Sequence, residues 1–338
     1  MFNRLLGITI LAVSILLAWG WMEYDGFINK PLMLPQEGVS YLLQPGMTTR
    51  RLADDLQQRE ILDKPLLLRI IARWSGQASK LKAGEYHLPE GTTPSMLLEI
   101  LTSSRVVQHA LTIIEGWTFK QMMAAVRRNP DLTHTLEDVV NEQIMQHLGL
   151  DDLHPEGRFY PDTYHFPLGT TDVDFLRRAY RRMETTLAQV WQNQEKELPL
   201  KSPYEALILA SIIESETGIP EERGKIAGVF VRRLNRGMLL QTDPTVIYGM
   251  GDRYKGNIRK RDLSRDTPYN TYVRKGLTPT PIVMPSGAAI YAALHPEEGK
   301  TLYFVATGDG GHTFSATLEE HNKAVRKYLL NLDSSVDR

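Results

Sequence analysis

Apolar residues run from 5 to 22 (LLGITILAVSILLAWGWM) without a single charge, long enough for one helix to cross a bilayer. Further on the pattern turns periodic. Three segments open on Gly-x-Thr: PGMTTRRLADDL at 45–56, EGTTPSMLLEIL at 90–101 and EGWTFKQMMAAV at 115–126. In each, a Thr (Thr48, Thr93, Thr118) precedes apolar residues by four, five and eight positions: Leu52, Ala53 and Leu56; Leu97, Leu98 and Leu101; Met122, Met123 and Val126. That spacing predicts a helix capped by the Thr after a Gly turn, as a threefold repeat or as three unrelated helices with the same common cap. Alternating runs at 39–43 and 110–114 predict strands before two of the copies, and 81–89 predicts another.

The remaining pattern is mostly helical. Residues 66–74 predict an apolar helix, 129–153 an acidic helical stretch, 171–194 a long amphipathic helix and 219–236 a helix stopped by Gly237. Between them, HPEGRFYPDTYHFP at 154–167 is too rich in Pro, Gly and aromatic residues for a helix and predicts a structured loop presenting Glu156, Tyr160, Asp162 and Tyr164. Segments 239–251 and 268–282 predict loops and short strands. A hairpin follows, with strands at 302–306 and 312–314, and then a helix from Thr317. The class is α+β.

One helix stands apart. YEALILASIIESET at 204–217 is apolar until Glu214 and Glu216 at its end. At about 100° per residue, Glu216 lies about 50° from the mean apolar direction and Glu214 about 100°, so Glu216 points nearer the core. A carboxylate held against apolar neighbours loses hydration and keeps its proton nearer neutral pH, as a general acid requires. The plain alternative is a helix-end glutamate turned to solvent.

Composition narrows the chemistry. The 338 residues carry 39 basic and 40 acidic side chains and no long like-charge block, which argues for no nucleic-acid partner and for a polar, uncharged or zwitterionic substrate. With no cysteine, thiolate nucleophiles, disulfides and thiolate metal sites are excluded. His295, His312, His321 and Asp243 lack the spacing of a metal site, no Gly-rich phosphate loop follows a strand, and no G-x-S-x-G occurs. No metal or other cofactor is expected. Arg4 before the apolar run, with Glu23 and Asp25 after it, puts the N-terminus in the cytoplasm and the rest outside. A cleaved leader is the rival, but the run is long for one and ends in Trp19 and Trp21 rather than small residues. Aromatic, carboxyl and hydroxyl groups together suit a sugar, yet the usual pair of carboxylates for glycoside cleavage is missing from the helix, since Glu214 lies roughly 200° from Glu216. A single-carboxylate reaction fits better.

The segments ASIIESET, RRLNRGMLLQTDPTVIYGMG, YNTY and GGHTF resemble the YceG-like family of endolytic murein transglycosylases, and EGRFYPDTY, PGMTTRRLADDL, KAGEYHL and IEGWT resemble its upstream parts. The resemblance implies a cytoplasmic tail (1–4), a single transmembrane anchor (5–24), a linker (25–38), a small LysM-like β/α module (39–108) and a mixed α+β catalytic domain (109–338). It implies an inner-membrane protein with its catalytic domain in the periplasm. Its activity would be cleavage between MurNAc and GlcNAc inside peptidoglycan strands, leaving 1,6-anhydroMurNAc ends and limiting nascent strand length, beside peptidoglycan polymerases. The family's catalytic glutamate corresponds to Glu216. Glu156, Tyr160, Asp162, Gln241, Asp243, Tyr248, Asn270, Tyr272 and His312 stand at motif positions expected to bind substrate. The chain departs from the family at Thr278, where Pro is usual, and at Met284, Pro285 and Ser286, where Asn-Pro-Gly is usual. The rival function is a non-catalytic, wall-binding anchor or scaffold.

Overall fold

A computed structural model describes residues 2–330 and the side chains of residues 6–328. Met1 and the side chain of Arg4, on which the cytoplasmic tail rests, and residues 331–338 lie outside the described residues. The chain forms two compact units, residues 2–109 with 165–170, and residues 110–164 with 171–330. Strands are short and helices dominate, in an α+β arrangement.

The first unit opens with α1 (Phe2–Ile28), whose span Leu6–Ile28 has a mean hydropathy of 1.7 and is long and apolar enough to cross a membrane. Its side chains from Leu6 to Met22 are all exposed, Leu17 and Trp21 each at 69%. The helix does not stop where the apolar run ends: Glu23 and Asp25 stay helical, and Phe27 is buried in the unit's core. Tertiary packing thus extends a helix that the charge pattern ends at residue 24.

Strand β1 (Val39–Leu43), α2 (Thr49–Gln58), α3 (Pro65–Trp74), β2 (Gly84–Leu88) and α4 (Pro94–Thr102) complete that core. β1 and β2 pair antiparallel with Tyr41 opposite Tyr86, both fully buried. The strand β3 (Gln108–Thr112) then leads to α5 (Phe119–Arg128).

Thr48, Thr93 and Thr118 cap α2, α4 and α5, each accepting at 3.3 Å from the N–H three residues on. Before each cap, Gly46, Gly91 and Gly116 hold φ of 75°, 79° and 77°, a region side chains disfavour. The buried residues of the three helices include all nine apolar positions of the sequence pattern. One local design therefore occurs three times, and a strand precedes each copy, the run at 81–89 supplying the one before α4.

In the second unit the acidic stretch is not a long helix; it holds a 3₁₀ turn and α6 (Ile144–His147). Helix-breaking Pro130 and the Asp and Thr residues that follow outcompete the helical spacing there. After β4 (Thr163–Pro167) come α7 (Asp172–Gln192), α8 (Pro203–Glu216), α9 (Pro220–Asn235), α10 (Asp243–Met250), α11 (Lys260–Leu263) and α12 (Gly287–Leu294), then the antiparallel hairpin β5 (Tyr303–Ala306) and β6 (His312–Ser315), and α13 (Leu318–Val325). Every residue from Ala206 to Ile213 in α8 is buried, so α8 is the axis of this core, with α7, α9 and α12 packed around it.

Candidate active site

Ser202 caps α8, Pro203 opens it, and from Ala206 to Ile213 its apolar circumference leaves no solvent face. The mean-direction argument thus separates the two glutamates less than the sequence suggests: both are enclosed, by different partners. Glu214, with a side chain 6% exposed, accepts from the Ser286 N–H at 2.9 Å and from the Ser286 hydroxyl, and lies 3.6 Å from Arg223. Ser286 in turn caps α12. The departure at Met284, Pro285 and Ser286 therefore bears on a glutamate of the motif, holding it as a structural anchor.

Glu216 opens instead into a cleft of about 560 Å³. Gln241, Asp243, Tyr272 and His312 share that cleft, four of the nine residues expected to bind substrate. Burial pushes the Glu216 carboxyl up to about 7; the hydrogen bond donated by Thr242 and the nearby His312 pull it down, while Asp243 pushes it up. Asp243 begins α10 and accepts from the Tyr272 hydroxyl at 2.6 Å. His312 Nδ1 lies 2.7 Å from a Glu222 oxygen, and the His312 N–H donates to the other at 2.8 Å. With Nδ1 paired, Nε2 is the nitrogen left for a ligand.

The 239–251 segment is thus only partly loop: Pro244 starts a helix rather than breaking one. Just before it, Gln241 holds φ of 50°, strained for a non-glycine residue, and turns the chain so that Thr242 faces Glu216. Thr242 is fixed from behind, its N–H donating to Thr271 and its carbonyl accepting from Thr245.

Asn270 is not a lining residue. It is 1% exposed, its amide donates to the carbonyls of Asp262, Leu263 and Arg265, and its oxygen accepts from the Tyr272 N–H. It shapes the loop that carries Tyr272. Glu156 and Tyr248 stand in a second cleft of about 880 Å³ with Tyr254 and Tyr269. Glu156 accepts from the Phe119 N–H at 2.8 Å and the Tyr248 hydroxyl at 3.0 Å, and burial pushes it up to about 7. Tyr160 packs on the α8 core beneath Arg182 and against Gly287. Asp162 is exposed and accepts from the Thr163 N–H, a turn role.

Sequence reasoning missed Thr242 and Arg233. Arg233 lines the Glu216 cleft as a buried cation, donating to the carbonyls of Leu302 and Leu240 and stacking on Tyr303. The signal was the adjacent arginines of RRLNRG directly after the apolar run IAGVFV: neighbours on a helix point about 100° apart, so one of the two turns inward. Thr242 sits between two residues already singled out, Gln241 and Asp243.

A profile of the YceG-like family matches residues 42–327. The chain is 31% identical over 332 residues to the endolytic murein transglycosylase of Bacillus subtilis, covering 89% of each protein. It is 26% identical to the endolytic murein transglycosylase of Streptococcus pneumoniae over 94% of this chain and 64% of that one. The crystal structure of a YceG-like protein from Listeria monocytogenes superposes with a TM-score of 0.55 at 28% identity, over 86% of this chain and 99% of that one. With the profile spanning most of its length, the chain belongs to the YceG-like family.

Proposed function

We propose that the chain is an endolytic lytic transglycosylase cleaving MurNAc–GlcNAc bonds within peptidoglycan strands, with Glu216 as its acid and base. The observation that carries the reading is a carboxyl group lifted to about 7 by burial in the lining of a polar, aromatic cleft, in a relative of enzymes named for this reaction. Protonated Glu216 donates to the glycosidic oxygen, and the GlcNAc side leaves as an alcohol. The resulting carboxylate then takes the proton from the MurNAc C6 hydroxyl, whose oxygen bonds to C1. The product is a 1,6-anhydro end, no water is consumed, and Glu216 is reprotonated.

Asp243, held by Tyr272, supplies negative charge in the same cleft. In the transglycosylase it faces the positive charge that develops at C1. It also supports a second reading, hydrolysis, in which Asp243 orients a water molecule. Mass analysis of strands cut by the wild-type chain separates the two: anhydro ends support the lyase, reducing ends the hydrolase. Asp243→Asn then slows the lyase without changing its product.

The other parts of the reading concern the first unit. α1 serves as a retained, single-pass inner-membrane anchor with Trp19 and Trp21 at its outer interface and the catalytic domain in the periplasm. Residues 39–108 form a LysM-like module that holds glycan, residues 109–338 form the catalytic domain, and polymerases of the wall are the protein partners. The bare apolar surface of α1 supports the anchor.

A further inference from the structure

Residues 251–275 hold eight Lys and Arg against three Asp, in a chain of net charge −1. The structure gathers five of these cations, Arg253, Lys255, Arg259, Arg261 and Arg265, around a cleft of about 480 Å³ in which Asp262 is the one lining carboxylate. The three acids of the segment are engaged: Asp252 with Lys120 at 2.8 Å, Asp266 with Arg274 at 2.6 Å, and Asp262 with the Arg259 N–H at 2.9 Å. Lys255, Arg259 and Arg265 are in no salt bridge among the described residues. Cations crowded around a half-enclosed cleft repel one another and raise a positive potential of several kT, which an entering anion relieves. Guanidinium groups fit carboxylates two bonds at a time.

The position of the cleft selects the anion. Val246 and Met250 of α10 form its apolar part, and Asp243, at the start of the same helix, lies in the Glu216 cleft. Eight helical residues rise about 12 Å, so the basic cleft stands within about one short helix of the reacting bond. The glycan itself is neutral there, but each MurNAc carries a short peptide with side-chain and terminal carboxylates.

We propose that this basic cleft binds the carboxylates of the stem peptides, so that the enzyme selects strands that still carry them. The inference rests on the proposed function and names the substrate form. The apolar residues beside the cations suit the aliphatic parts of a peptide, which a bare phosphate lacks.

The test uses the full chain in detergent, glycan strands with intact stems, and the same strands stripped by an amidase with the freed lactyl carboxylates capped as methylamides. Co-sedimentation of the wild type is expected to be about tenfold tighter on stem-bearing strands at low salt, the product of a few exposed charge pairs, and to lose that margin as salt rises. The triple variant Lys255→Ala, Arg259→Ala, Arg265→Ala, with an unchanged melting temperature, is expected to lose the margin and bind stripped strands as the wild type does. In cleavage assays its KM rises on stem-bearing strands alone, with kcat unchanged. Equal wild-type binding to both strands, or a variant that weakens both alike, overturns the inference. Tighter binding of inorganic pyrophosphate than of the free stem peptide overturns it in favour of a phosphate site. A binding margin without cleavage of either strand removes the proposed reaction and supports this inference.

Discussion

Glu216 owes its chemistry to burial, and burial makes its charge costly to the fold. Its carboxyl ordinarily titrates at 4.5 and is lifted to about 7. Below about pH 4.5 the folded and unfolded chains both hold the proton, and nothing is lost. As pH rises from about 4.5 to about 7, the unfolded chain gives up its proton while the folded chain keeps it, so stability falls; above 7 both carry the charge and the full cost stands. Glu216→Gln removes that cost: above pH 7 it is expected to melt at least about 2–4 °C higher than the wild type, for a gain of about 1 kcal/mol, with the difference vanishing toward pH 4 in a calorimetric series. An identical or lower melting point at pH 8 would mean that the carboxyl is solvated. Asn270 yields the opposite kind of test. Its amide serves three carbonyls, so Asn270→Asp sets a carboxylate against them and is expected to lower stability by about 1–3 kcal/mol in denaturant titration, while the isosteric side chain keeps its volume. The sequence placed Asn270 among ligand-binding residues because a polar side chain in an aromatic loop looks the same whether it faces a sugar or its own backbone.

At the scale of elements, legibility followed local physics. The Gly turn and Thr cap are written within five residues, so α2, α4 and α5 were readable to within a residue or two, down to their buried positions. Thr118→Ala is expected to cost about 1 kcal/mol in thermal unfolding, because Thr118 and Gln121 cap each other. α10 was hidden because Pro244 marks a loop as readily as a first helical turn. The partner of Glu214 was not legible at all, since Ser286 lies 72 positions away. With Glu214 roughly 200° round the helix from Glu216, the sequence alone leads one to expect that Glu214→Gln keeps most activity. The structure instead predicts that the variant, deprived of the Arg223 ion pair at a buried site, unfolds at a lower temperature while cutting peptidoglycan at the normal rate in the cold. A normal melting point would place Glu214 outside the α12 anchor. The site was legible as a set of motifs and not as geometry: which motif residues share the Glu216 cleft, and which stand with Glu156, depends on contacts between distant segments.

At the scale of the molecule, α1 belongs both to the proposed anchor and to the first unit's core. A chain beginning at Tyr24 keeps Phe27 in place; one beginning at Lys30 loses it and is expected to lose about 3 kcal/mol or more from that unit, measured as its urea midpoint. Equal midpoints would show that α1 does not brace the unit. The central claim is that one buried glutamate at the end of α8 cuts glycan strands without water. Its most direct measurement is mass analysis of purified peptidoglycan digested with the wild-type chain and with Glu216→Gln. The expected result is 1,6-anhydro ends from the wild type and a loss of about 10²–10⁴-fold in their rate of appearance with the variant. Reducing ends from the wild type, or anhydro ends formed equally fast by Glu216→Gln, would contradict it.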